Sequence, residues 1–112
     1  MYVKDLAAHF LSGKLDPRTW KRLDDEALIA ALVDVRGIGR WTAEMFLMFH
    51  EMRPNVFPAD DIGIQRAVAV HYNDGERMEL AVLREFAERW QPYRSVACWY
   101  LWRSLDPIPV EY

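Results

Sequence analysis

Arg36-Gly37-Ile38-Gly39-Arg40-Trp41, with Pro58-Ala59-Asp60-Asp61 downstream, is the stretch on which the reading of this chain turns. Two glycines fall between two segments of helical periodicity, and a carboxylate pair opens a third. Gly37-Ile38-Gly39 can take backbone angles closed to other residues. A tight turn can then join two helices and aim successive N–H groups outward at the start of the second. Helix N-termini favour anions, so a phosphate fits there, and Arg36 and Arg40 flank the turn to add attraction. Ile38 is expected to point inward and pin the turn to the core. Alone, Gly-x-Gly is a weak motif and serves as readily for a plain helix connection. Asp60-Asp61 alone reads as an N-cap and its neighbour, as Asp24-Asp25 does at an earlier helix. Their order adds weight. Asp61 follows Gly39 by 22 residues, across one apolar helix and a Pro-containing loop, a spacing expected to return the acid to the neighbourhood of the turn.

Outward from this centre, almost every segment has helical period and none shows sustained alternation. Val3, Leu6, Ala7, Phe10 and Leu11 form a stripe that Ser12-Gly13 ends. Asp16-Pro17 opens a short helical turn through Trp20. Asp24-Asp25-Glu26 starts a helix burying Leu28, Ile29 and Leu32. The next, from Gly39 to about His50, is apolar nearly all round, with a polar stripe of Arg40, Glu44 and Glu51, and reads as a central buried helix. Further helices are expected from Asp60 or Asp61 to Tyr72, through Leu80, Leu83, Ala87 and Trp90, and from Tyr93 to about Leu105, with a stop at Asp106-Pro107. The fold class is all-α, an orthogonal bundle of six to seven short helices in one domain spanning residues 1–112, its hairpin at about 25–50.

Composition narrows the function. With 112 residues there is room for one core but little for a closed pocket. Fourteen basic against 17 acidic residues give no global basic field, so contact with nucleic acid must come from local geometry. The single cysteine, Cys98, excludes an intramolecular disulfide and a Cys-ligated cluster, and is expected to be a small buried hydrophobe. No apolar run reaches membrane-spanning length and no signal peptide opens the chain, which by default implies a cytoplasmic location.

Val35-Arg-Gly-Ile-Gly-Arg-Trp-Thr-Ala43, Val56-Phe-Pro-Ala-Asp-Asp61, Trp90-Gln-Pro-Tyr-Arg-Ser95 and Tyr100-Leu-Trp102 stand in the order found in the helix-hairpin-helix DNA glycosylases. The chain most resembles the DNA-3-methyladenine glycosylase II branch, over essentially its whole length. The resemblance implies a hairpin (Arg36, Gly37, Ile38, Gly39, Arg40) that grips the backbone of double-stranded DNA containing alkylated bases. It makes Asp61 catalytic, with Asp60 as its capping neighbour. Trp41 and Trp102 stand where the family places base-pocket aromatics, core packing being the alternative for both; Trp20, Trp90 and Trp99 read as core. Arg94 is a support for the acid's helix, a phosphate contact or an ordinary surface ion pair. Trp41 occupies the position at which strand-nicking relatives carry lysine, which implies simple hydrolysis without a Schiff base. No cofactor and no iron–sulfur cluster is implied. A structural sodium or potassium ion at the hairpin would take the backbone carbonyls of Val33, Val35 and Ile38.

The family's domain begins earlier than the resemblance, which starts near Tyr2, so the chain reads as the C-terminal part of that domain. An uncovered apolar face, from Val3, Leu6 and Phe10 with Met45 and Phe49, is then expected to drive self-association. The leading expectation is a monofunctional glycosylase of base-excision repair. The alternative is a non-catalytic helix-hairpin-helix fragment that binds DNA or protein, and a purely structural bundle would leave four ordered motifs to coincidence.

Overall fold

The computed structural model describes residues 2–105, and every regular element among them is helical. The elements gather into two compact units, Met1–Arg53 and Pro54–Tyr112. Among the described residues no helix is long and apolar enough to cross a membrane.

The first unit holds α1 (Tyr2–Ser12), a 3-10 turn (Pro17–Arg22), α2 (Asp25–Val33) and α3 (Arg40–Phe49). Its punctuation follows the local chemistry. Asp16 caps the 3-10 turn by accepting the Arg18 N–H, and Asp24 caps α2 by accepting the Ala27 N–H. Leu28, Ile29 and Leu32 of α2 pack with Ala43, Leu47 and Met48 of α3 in the core, beside Leu15, Trp20 and Val35. Trp20 meets Phe46 edge-on at 5.2 Å between ring centroids. Arg53 closes the unit, donating to the Trp20 and Leu23 carbonyls at 2.7 Å each and to Asp25 at 3.1 Å.

One expectation fails here. α3 is not buried all round: Trp41 is 47 % exposed and Phe49 59 %. Ala43, Glu44, Leu47 and Met48 form the sunken face, and the opposite side, though partly apolar, is exposed. Glu44, expected on a polar stripe, lies on the sunken face at 2 % exposure with its carboxylate 3.7 Å from the Arg40 guanidinium. The stripe on α1 is open, as an uncovered apolar face requires: Val3, Phe10 and Leu11 are exposed and Leu6 is half-buried, while among the described side chains of that helix His9 is the buried one.

The second unit holds α4 (Ile62–Tyr72), α5 (Leu80–Ala87) running into a 3-10 turn (Glu88–Trp90), and α6 (Arg94–Ser104). Ile64, Ala67 and Val68 of α4, Leu83 and Ala87 of α5, and Cys98 and Leu101 of α6 build its core. Cys98 is the small buried hydrophobe its surroundings imply. Asn73-Asp74-Gly75 ends α4: Asp74 and Gly75 both take left-handed angles, φ +53° and +84°, and the Gly75 N–H returns to the Ala69 carbonyl at 2.8 Å. Trp90 is half-buried against Tyr72 and Phe86. Trp99, assigned to the core, is instead exposed. α6 buries Cys98 and Leu101, three apart on one face, and Trp99 falls a full 100° step off it. The expected stop at Asp106-Pro107 lies outside the described residues.

Candidate functional site

The hairpin is present as a helix-turn-helix of α2, residues 34–39 and α3. Gly37 takes φ +94°, so that position needs a glycine. Gly39 does not: it is extended, at φ −89° and ψ 175°, and an added Cβ would meet nothing within 4 Å. What Gly39 does supply is an N-cap position without a side chain, so no side-chain cap bond covers the opening of α3. The residue that pins the turn is Val35, at 1 % exposure, while Ile38 is only half-buried. The Ile38 N–H closes the turn on the Val35 carbonyl at 3.1 Å.

The two flanking arginines differ. Arg36 is exposed, and its backbone N–H donates to the Asp5 carboxylate at 2.6 Å. Arg40 holds Glu26 through two parallel bonds of 2.6 and 3.0 Å, so its charge is already matched by carboxylates. Behind the turn lies a group that local pattern does not announce. The His9 ring faces the Asp5 carbonyl at 2.8 Å and the Asp34 carboxylate at 2.7 Å. Both neighbours are acceptors, so the doubly protonated ring suits the site, and these two bonds, the carbonyl first, raise its pKa above 6.5. Asp5, His9 and Asp34 thereby clasp α1 to the hairpin turn.

In the second unit, Asp61 is half-buried at the N-terminus of α4. Its Oδ2 accepts the Ile64 N–H at 3.0 Å and the Trp102 indole N–H at 2.8 Å. The cap therefore falls on Asp61, not on Asp60, whose exposed carboxylate stands 3.9 Å from Arg84. Trp102 is brought to the acid as its hydrogen-bond donor. Gly63 makes this approach possible, since a Cβ there would lie 3.1 Å from both Asp61 Oδ2 and Trp102 Cδ1.

The loop leading to the acid is tied to α6. Arg94 donates to the Asn55 side-chain oxygen at 2.8 Å and to the Asn55 carbonyl at 3.0 Å. Ser95 receives the Val56 N–H on its hydroxyl at 2.9 Å and gives its own N–H to Pro54 at 2.9 Å. Arg94 thus anchors the strand of loop before Asp61 through neutral partners. Pro54, Asn55 and Gly63 carry no motif of their own, and Ser95, which closes the Trp90–Ser95 motif, shows its bonds only in the fold. Trp41 belongs to the first unit, in the opening turn of α3 with its ring partly in water.

No family model matches the chain. DNA-3-methyladenine glycosylase 1 of Schizosaccharomyces pombe is 36 % identical over 104 residues, which are 91 % of this chain and 45 % of that protein. The crystal structure of a DNA-3-methyladenine glycosidase from Bacillus halodurans superimposes with a TM-score of 0.86 at 37 % identity, covering 92 % of this chain and 48 % of that one. The 3-methyladenine DNA glycosylase of S. pombe in complex with abasic DNA superimposes with a TM-score of 0.82 at 34 % identity, covering 92 % and 50 %. The chain therefore spans about half the length of these relatives or less. Over that span the relatives of this chain are DNA-3-methyladenine glycosylases.

Proposed function

We propose that this chain carries the hairpin and the acid of a monofunctional DNA glycosylase, which hydrolyses the N-glycosidic bond of alkylated, 3-methyladenine-type bases in double-stranded DNA during base-excision repair. The observation that carries the proposal is the fixed carboxylate. Asp61 is held by a helix N-terminus and an indole N–H, in a chain that superimposes on a glycosylase bound to abasic DNA. Alkylated purines already bear positive charge, so the C1′–N bond can break with its electron pair leaving on the base. The sugar is then oxocarbenium-like; Asp61 stabilises it and orients a water whose oxygen bonds to C1′ as a proton is released. Free base and an abasic site result. The base must first leave the stack, and Trp41 offers a face to a cationic purine, a contact worth about 0.5–2 kcal/mol.

Residues 1–112 act, in this proposal, as the C-terminal part of one catalytic domain, and the work is done at the chromosome. The hairpin presents the uncapped opening of α3 to a backbone phosphate, with Arg36 beside it. No cofactor is proposed for the chemistry. A sodium or potassium ion at the hairpin would rest on the Val33, Val35 and Ile38 carbonyls; the Val35 oxygen accepts one N–H and keeps a second lone pair. It would supply positive charge toward the phosphate.

Release of methylated purine from alkylated duplex, followed by chromatography, tests the reading. Asp61→Asn is expected to abolish release while sparing binding, and Asp60→Asn to keep most of it. Equal losses at both would refute the division of roles. The span of half or less of each relative favours a second reading, a non-catalytic fragment that binds DNA or protein. Duplex binding with no release by the wild-type chain would select it.

A further inference from the structure

α4 presents two faces. Ile64, Ala67 and Val68 sink into the core, whereas Ile62, Arg66 and Val70, four apart, stay exposed. This outer stripe floors a groove of about 360 Å3 whose other wall is the turn that carries Gly75 and Arg77. Two exposed guanidinium groups thus line one groove, and no carboxylate residue is among its walls. Arg18, Arg40, Arg53 and Arg84 each stand within 4.0 Å of a carboxylate. Among the described residues Arg66 and Arg77 form no such pair. A groove that combines two cations lacking ion-pair partners with the alkyl faces of Ile62 and Val70 suits a ligand that alternates anionic and apolar groups.

Its position says which ligand. Ile62 follows Asp61 directly, so the groove starts beside the acid and runs along α4. From Ile62 to Val70 the helix rises about 12 Å at 1.5 Å per residue, long enough to follow a short run of backbone. We propose that this groove receives the sugar-phosphate backbone of the damaged strand next to the flipped nucleotide. Arg66 and Arg77 each neutralise a phosphate, while Ile62 and Val70 lie against deoxyribose. The inference rests on the glycosylase reading and adds to it a second DNA contact, apart from the hairpin, on the helix that bears the acid.

The test is the salt dependence of binding, with the full chain and a duplex containing one tetrahydrofuran abasic analogue. Each phosphate contact contributes about 0.9 to the slope of log K against log salt. Arg66→Gln and Arg77→Gln are each expected to reduce the slope by about 0.9, and the double variant by about 1.8. Each single variant then binds about 8-fold more weakly at 0.1 M salt, with its curve converging on wild type near 1 M. Arg66→Lys and Arg77→Lys keep the charge and should keep the slope, which separates phosphate neutralisation from a folding defect. A double Gln variant with the wild-type slope, in a protein that releases base, overturns the groove and leaves the glycosylase reading intact. Charge-retaining lysine variants that lose the slope as the Gln variants do also overturn it. Wild-type protein that binds no duplex at low salt overturns both.

Discussion

Gly63 is where the acid is most sensitive to change. Alanine favours a helix over glycine by about 1 kcal/mol, yet a Cβ here would press within 3.1 Å of both Asp61 Oδ2 and Trp102 Cδ1. Gly63→Ala is therefore expected to leave stability near wild type in urea unfolding while cutting base release about 10- to 100-fold, the scale of a small misplacement of a reacting group. Full activity in that variant would show that the indole contact does not matter. At Trp41 the expectation is negative. No amine stands at the position where strand-nicking relatives use lysine, so borohydride should trap no covalent complex on an abasic duplex. A stable adduct would end the monofunctional reading. Neither Gly63 nor the Trp102 bond could be read along the chain: Trp102 lies 41 residues from Asp61 and Arg94 lies 39 from Asn55. Spacing reveals periods within a helix, not partners across the fold.

At the scale of elements, helix starts and stops were the most legible feature. An N-cap is a bond between residues two or three apart, and Asp16 and Asp24 do what their local chemistry dictates, while Gly75 closes α4 on a carbonyl six residues back. Capping also misled once, because Asp60 and Asp61 are equivalent by type and only the fold shows that Asp61 takes the Ile64 N–H. Faces were less legible still. α3 leaves Trp41 and Phe49 exposed although it reads as apolar nearly all round, and α1 buries a histidine that no pattern announces. That histidine makes the α1–hairpin clasp sensitive to pH. Its folded pKa is raised by the Asp5 carbonyl and the Asp34 carboxylate, so the stabilisation is fully present below about 6.5 and is lost as pH rises through the raised value. The difference in melting temperature between wild type and His9→Gln should be largest below pH 6.5 and shrink above the raised value. The protection of the Arg36 amide, relative to its intrinsic exchange rate, should fall over the same rise. A difference independent of pH would remove the charged clasp.

For the whole molecule, the exposed apolar residues of the first unit set the expected behaviour in solution. Val3, Phe10, Leu11 and Phe49 all face water. Burial of such surface returns about 25 cal/mol per Å2 before the cost of association is subtracted. Sedimentation should show concentration-dependent self-association, weakened by the double change Phe10→Ser and Leu11→Ser. A monomer at all concentrations would mean that these side chains are too dispersed to act together. The bond between Trp102 and Asp61 has a further consequence for the molecule as a spectroscopic object. Its five tryptophans give five indole N–H resonances, and the Trp102 proton, held by a carboxylate, should stand apart as shifted downfield and slow to exchange. Asp61→Asn would move that signal alone among the five, so the chain carries its own label for the state of its acid.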